Sequence, residues 1–337
     1  MNCNKLVSVI SILFLSLSCF AITNRLVLPL QNSDGRWGFC YEDGTIVIPF
    51  SFERVYYDSK NRMFDVFSAN GIETYIDAYG NMAKKKEELP FYTHPVVENV
   101  KSNGCFVLIH KDGRTKAFSN VLRMRVYDDG CATCVTKDGR GGFSNNPLKG
   151  DSWIYFTAST RSLVFYDSSD KVISYSMVAT NNFGGWAWRY LNLDGSKAEP
   201  LETAARKYDY SSFSMYGWIP VLKVIDGVCR IGVLSRSGDE LIACNYDSLD
   251  AVSDYICCWK NDKTSMKSLV TCFDGNGSRM FAFQVDKDAD IDDSFTAIRY
   301  WCPVQINGRF CWVNVNNKKK IECEKGKVVV FQINEHE

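Results

Sequence analysis

The stretch DGRWGFCYEDGTIVIPFSFE, residues 34–53, decides how the rest of the chain is interpreted. Two aspartate–glycine pairs, at 34–35 and 43–44, flank a short run of aromatic and other strand-forming residues. Glycine after aspartate takes the positive φ of a tight hairpin turn, and β-branched and aromatic side chains favour strands. The stretch therefore predicts two tight turns, each followed by a β-strand.

The same pattern recurs along the chain. Residues 70–80 repeat it at an offset of 36, and residues 232–247 repeat residues 38–53 at an offset of 194, without gaps. The second match places Gly232 and Gly238 where Gly38 and Gly44 stand in the first copy. Self-similarity of this kind indicates a tandem repeat. We predict repeat units that begin near residues 34, 70, 112, 138, 183, 226 and 303.

The first copy resembles the bacterial WG repeat. The resemblance rests on Gly-Arg-Trp-Gly-Phe, then Asp-Gly, then Ile-Val-Ile-Pro and an aromatic–acidic pair, within residues 34–55. The copy near residue 226 also matches well, whereas the others have lost the Trp-Gly pair, with Thr74 and Cys311 in the place of Gly38. The resemblance implies an array of β-hairpins, and the family has no established activity.

The residue pattern predicts an all-β fold. Alternation in the first copy places Trp37, Phe39 and Tyr41 on one strand face, and strands of later copies are apolar on both faces, which indicates sheets covered on both sides. Helical periodicity is confined to residues 199–207, where Pro200 limits a helix to a turn or two. We expect tandem antiparallel β-hairpin repeats, stacked as a propeller-like or an open superhelical array.

The N-terminus is typical of an export signal. Lys5 precedes an apolar run at residues 6–17, which is shorter than the roughly 20 residues of a membrane span, and small residues follow. We predict a signal peptide at residues 1–21, a repeat array at residues 22–337 with no transmembrane span, and a secreted, periplasmic or cell-surface location. The alternative is a lipoprotein acylated at Cys19, although Ser16 is atypical of a lipobox.

Composition excludes some classes of partner and chemistry. The chain has 39 basic and 39 acidic residues, so it lacks the net positive charge typical of nucleic-acid binders. Twelve of its 14 cysteines follow the signal, and an exported chain permits but does not require disulfides between them. The pair Cys131 and Cys134 has zinc-ligand or disulfide spacing, but no second pair or histidine lies near, which favours buried thiols.

Motifs for catalysis or cofactor binding are scarce. The chain has three histidines and none of the common hydrolase, nucleotide or zinc signatures. The acidic run at residues 286–293 has carboxylates at alternate positions, as a calcium loop would, but Ile291 stands where the sixth-position glycine belongs. We interpret it as a solvated loop, and we predict no metal and no cofactor.

The predicted function is therefore a non-catalytic scaffold or binding surface for a protein or a glycan on a cell surface. Trp186, Tyr208 and Tyr210 are the candidate binding residues, because exposed aromatic rings form contact platforms. Trp188 aligns with Trp37 in the repeat and is expected in the core. The alternative is a propeller-type polysaccharide hydrolase with two carboxylates, which would use acids that do not recur, such as Asp65, Glu73 and Asp167.

Overall fold

The computed structural model describes residues 25–58, 63–83, 96–102, 105–110, 113–127, 129–149, 152–156, 163–179, 185–252, 254–287 and 297–334. These residues form seven antiparallel sheets and one α-helix, α1 (Glu199–Ala205). The prediction of an all-β chain built from antiparallel hairpins is confirmed. The described part of the chain contains no helix that is long and apolar enough to cross a membrane.

The sheets follow one another along the chain, and in each sheet the strands lie in chain order. Sheet 1 contains β1 (Val27–Gln31), β2 (Trp37–Tyr41), β3 (Ile46–Asp58), β4 (Met63–Ser68), β5 (Glu73–Asp77) and β6 (Met82–Ala83). Sheet 2 contains β7 (Val96–Ser102), β8 (Cys105–His110) and β9 (Thr115–Phe118). Sheet 3 contains β10 (Val121–Val126), β11 (Ala132–Thr136), β12 (Gly141–Ser144) and β13 (Trp153–Tyr155).

The remaining four sheets have three or four strands each. Sheet 4 contains β14 (Val164–Asp167), β15 (Val172–Ala179) and β16 (Gly185–Leu191). Sheet 5 contains β17 (Tyr210–Ser211), β18 (Trp218–Ile225), β19 (Val228–Ser235) and β20 (Glu240–Tyr246). Sheet 6 contains β21 (Ser248–Val252), β22 (Tyr255–Asn261), β23 (Lys267–Phe273) and β24 (Arg279–Asp286). Sheet 7 contains β25 (Trp301–Ile306), β26 (Arg309–Asn314), β27 (Lys319–Glu324) and β28 (Lys327–Gln332).

The glycines of the two best-matched copies occupy the same kind of position. The pairing of β2 with β3 and of β19 with β20 is interrupted by register shifts beside Gly38 and Gly232. A Cβ at Gly38 would stand 2.7 Å from the Ile48 carbonyl oxygen, and a Cβ at Gly232 would stand 2.6 Å from that of Ile242. Because the bulged partner strand leaves no room for a methyl group, only glycine fits at these positions.

Glycines in the second turn of several units touch the preceding sheet. A Cβ at Gly277 of sheet 6 would lie 2.6 Å from the Leu241 carbonyl oxygen of sheet 5, and one at Gly195 of sheet 4 would lie 3.0 Å from Ile154 of sheet 3. Both glycines also have positive φ. The turn therefore requires glycine for two reasons: its positive φ and the close approach between the sheets.

Sheet 1 makes this contact with sheet 7, at the other end of the chain. A Cβ at Gly44 would lie 2.7 Å from the Val330 side chain in β28. One buried cluster includes Leu28 and Phe39 of sheet 1 together with Trp312 of sheet 7. The indole of Trp301 also donates a hydrogen bond to Glu42, at 2.8 Å. The sequence leaves open whether the array closes, and the structure brings its first and last sheets together, as a propeller-like ring does.

Candidate functional site

An open groove of about 500 Å³ lies where sheet 5 meets sheet 6. Lys260 of β22, Leu269 of β23 and Gln284 of β24 are neighbours across the strands and form a row on one sheet face. Arg230 of β19 lines the groove from sheet 5. We call this site the basic groove and define it by six of its lining residues, Arg230, Lys260, Lys263, Lys267, Leu269 and Gln284.

The four cations of the basic groove fall into two kinds. Arg230 forms an ion pair with Asp247, and Lys267 forms one with Asp286. Lys260 and Lys263 are exposed, and among the described residues no carboxylate lies within ion-pair distance of either. The groove therefore combines two cations fixed by internal partners with two whose charge faces solvent.

The turn that carries Lys263 is organised by the carboxylate of Asp262. This carboxylate accepts hydrogen bonds from the backbone N–H of Thr264 and from the hydroxyl of Ser265, both at 2.8 Å. These hydrogen bonds lower the pKa of Asp262 to about 2. Asp262, the one acidic residue among the described residues that line the groove, thus stays ionised and is used within its own turn.

A second cavity, of about 490 Å³, lies beside α1 and is lined by Lys197, Glu199 and Arg236 among others. The guanidinium of Arg236 donates a hydrogen bond to the backbone oxygen of Asp170 at 2.7 Å. Glu199 places a negative charge in the same lining. Because Arg236 is engaged by Asp170 and Glu199 adds a negative charge, this cavity offers a ligand fewer available charges than the basic groove does.

Comparison with known proteins adds three distant structural similarities. No protein-family model matches the chain, and no curated protein matches it. The WD40 domain of SCAP from fission yeast is 10% identical, with a TM-score of 0.32 over 91% of this chain and 94% of that chain.

The AfRom2 CNH domain is 10% identical, with a TM-score of 0.25 over 92% of this chain and 94% of that chain. Hydrazine synthase of Kuenenia stuttgartiensis is 9% identical, with a TM-score of 0.30 over 85% and 96%.

The predicted binding residues Tyr208 and Tyr210 are half-buried beside α1. Tyr208 donates a hydrogen bond to Glu240 at 2.7 Å, and burial together with this bond raises the pKa of its hydroxyl. The Tyr210 hydroxyl accepts one from the indole of Trp188 at 3.1 Å. Trp188 is buried, as its place in the repeat predicts. Tyr210 thus links sheet 5 to sheet 4, whereas Tyr208 bonds to β20 of sheet 5. The role of both tyrosines in ligand binding stays a prediction.

Trp186, the third predicted binding residue, lies in β16 directly opposite Val178 of β15. Its side chain is outside the part of the chain that the structure describes. The backbone places it at the second residue of β16, and the buried residues described in this strand lie further along, from Trp188 onward. Its role as a contact residue therefore stays a prediction.

The three acids that the sequence offers for a hydrolase are divided between two sheets. Asp65 and Glu73 lie on β4 and β5 of sheet 1, whereas Asp167 ends β14 of sheet 4. Asp167 accepts hydrogen bonds from the Ser214 hydroxyl at 2.8 Å and the Gly217 N–H at 2.7 Å, and so ties sheet 4 to the segment between β17 and β18 of sheet 5. The described residues contain no cluster suited to a metal ion, and residues 288–293 of the acidic run lie outside them.

Several buried cysteines are poor nucleophiles. Burial raises the pKa of Cys40 and of Cys134 to about 12, and burial followed by the Asp129 charge raises that of Cys131 to about 11. Nucleophilic and metal-binding cysteines act as thiolates, which such environments disfavour. The spacing of Cys131 and Cys134 therefore corresponds here to two protonated, buried thiols.

This burial predicts the reactivity of the thiols. Nine of the twelve described cysteines are buried, two are intermediate and Cys229 alone among them is exposed. At pH 8 we expect a disulfide reagent such as DTNB to label one thiol of the reduced native protein rapidly, and all twelve described cysteines in denaturant. Cys229→Ser should remove the rapid phase. Rapid labelling of several further thiols would contradict the buried placement.

Sequence analysis did not find the basic groove. Its cations come from two different sheets, and each one taken alone is an ordinary surface residue of a hairpin. The one local signal was the tetrapeptide KNDK at residues 260–263, which joins a strand to a turn. Without knowledge of which hairpins are neighbours, that tetrapeptide reads as a solvated turn.

Proposed function

We propose that this protein is a non-catalytic, exported repeat protein whose surface binds a protein or a polysaccharide. The observation that supports this most directly is the basic groove, an open site with two cations that lack internal partners among the described residues. Charged groups are normally paired or fully hydrated, so a concave site that concentrates them suits a complementary ligand.

The repeat architecture and the export route are part of the same proposal. The equivalent bulges beside Gly38 and Gly232 support a degenerate WG repeat. At both positions the bulged partner strand excludes a Cβ, which explains why the repeat has glycine there. The charged, apolar and small-residue segments at residues 1–21 support export, and they lie outside the described residues. A binding protein at the cell surface or in the periplasm would meet its partner there.

A non-catalytic role is supported by how the reactive groups are used. The thiols with a raised pKa are held protonated by burial, and Asp167 is engaged in joining two sheets. Tyr208 and Tyr210 likewise have internal hydrogen-bond partners. Asp167 and Tyr210 use their polar atoms in contacts between sheets, which is the expected use of polar residues in a stacked array.

The test is retention of a partner by the immobilised protein from a panel of defined cell-envelope polysaccharides and purified surface proteins. The variants are Trp186→Ala in β16, Lys263→Glu in the basic groove and, as a control, Lys207→Glu at an exposed position after α1. We expect a partner that the wild type and the control retain and that one of the other variants loses. Turnover of a polysaccharide with no retained partner would overturn the proposal in favour of a hydrolase.

A further inference from the structure

We propose that the basic groove binds an acidic polysaccharide, one that carries carboxylate or sulfate groups at regular intervals. This inference rests on the proposed binding function and names its ligand class. It starts from the exposed ammonium groups of Lys260 and Lys263, which have no ion-pair partner among the described residues, with Arg230 and Lys267 in the same lining. A ligand with a single anionic group would satisfy one of these cations, whereas a repeating anion reaches several.

The chemistry of the groove lining favours a hydroxyl-rich anion. The lining also includes the amides of Asn261 and Gln284 and the hydroxyl of Ser265. Amides and hydroxyls supply the donors and acceptors that sugar hydroxyl groups need. The described residues that line the groove include no aromatic ring, so the stacking platform typical of neutral sugar sites is missing there. Charge is therefore the main attraction that the groove offers.

The geometry disfavours a peptide. Lys260, Leu269 and Gln284 lie side by side across three paired strands, so a ligand in the groove crosses the strands. A peptide that extends a sheet must instead run along a strand edge and use its backbone hydrogen bonds. Leu269 is the single apolar side chain in the lining, which gives a peptide little for a buried anchor. An acidic peptide is accordingly the competing outcome of the test.

The experiment measures affinity by biolayer interferometry for polygalacturonate, dextran sulfate, uncharged dextran, poly-glutamate and single-stranded DNA, each at 50 and 300 mM NaCl. The wild type is compared with a Lys260→Glu/Lys263→Glu double variant and with a Lys207→Glu/Lys327→Glu control. The control makes the same change in net charge at exposed positions outside the groove. Thermal unfolding of each variant confirms that the fold is kept.

We expect binding to polygalacturonate or dextran sulfate but not to dextran, at least a tenfold loss in the groove variant, and less than a twofold change in the control. Affinity should fall at 300 mM NaCl, because binding releases counterions from the polyanion. Equal or tighter binding of poly-glutamate or DNA to the same lysines would overturn the polysaccharide assignment and leave the proposed binding function standing. Unchanged affinity in the groove variant, or no binding of any anionic polymer, would overturn the assignment of this groove.

Discussion

Gly232→Ala is expected to lower the free energy of unfolding by about 2–3 kcal/mol, because a single methyl group meets a backbone that has no room to move. The added Cβ would lie 2.6 Å from the Ile242 carbonyl oxygen and 2.8 Å from the Cys244 nitrogen. Relief requires β19 and β20 to separate at their bulge, which breaks the ladder of sheet 5. Urea unfolding followed by tryptophan fluorescence measures the loss.

The matched control is Gly227→Ala in the turn between β18 and β19 of the same sheet. Gly227 has a φ of 75°, and nothing lies within 4 Å of its Cβ position, so the substitution costs only backbone strain of about 1 kcal/mol. Gly38→Ala in sheet 1 should behave like Gly232→Ala, since its Cβ would meet the Ile48 oxygen at 2.7 Å. Equal losses at positions 227 and 232 would show that the bulge does not exclude a side chain.

The strands and turns were predictable because their causes are local. Asp43 and Gly44 form the turn between β2 and β3, where the Asp43 carboxylate accepts the Thr45 N–H at 3.0 Å and Gly44 has a φ of 84°. Aspartate and glycine in sequence are sufficient to specify such a turn. The repeat match also aligned Gly232 with Gly38, and each glycine lies beside an equivalent bulge in its own sheet. A repeated sequence repeats its local backbone requirements.

The boundaries of the sheets are less evident from the sequence than the turns. The copies near residues 34 and 70 both belong to sheet 1, because β3 is 13 residues long and pairs first with β2 and then with β4. A register shift at Phe52 to Arg54 marks the change of partner. A continuous strand between two hairpins carries no turn signal, so nothing in its sequence tells where one unit ends.

The basic groove and the closure of the array depend on which distant segments become neighbours. The groove needs Arg230 of sheet 5 beside Lys260 of sheet 6, and closure needs sheet 7 against sheet 1. Periodicity reports which face of a strand is covered but not by which sheet. For this reason the sequence permitted both a ring and an open superhelix.

Trp312→Ala is expected to have the largest effect on stability, a loss of about 3–5 kcal/mol, because it removes a fully buried indole at the junction of the first and last sheets. The indole packs edge-on against Phe310 at 5.6 Å and donates a hydrogen bond to the Pro29 carbonyl oxygen. Urea unfolding of the full chain measures the loss. Trp153→Ala, at a half-buried indole in sheet 3, is the control and should cost clearly less.

A loss of stability in Trp312→Ala does not distinguish ring closure from packing within sheet 7. The hydrogen bond from Trp301 to Glu42 does distinguish them. These residues are 259 positions apart and belong to the last and first sheets, so they interact only if the array closes. In a double-mutant cycle with Trp301→Phe and Glu42→Ala, we expect a coupling free energy of about 1.5–3 kcal/mol, as for hydrogen bonds to charged groups. An open array would give additive losses and no coupling. The control is a second cycle that combines Trp301→Phe with Asp43→Ala. Because Asp43 forms an ion pair with Arg25 in the same end of the chain, we expect no coupling free energy in this cycle.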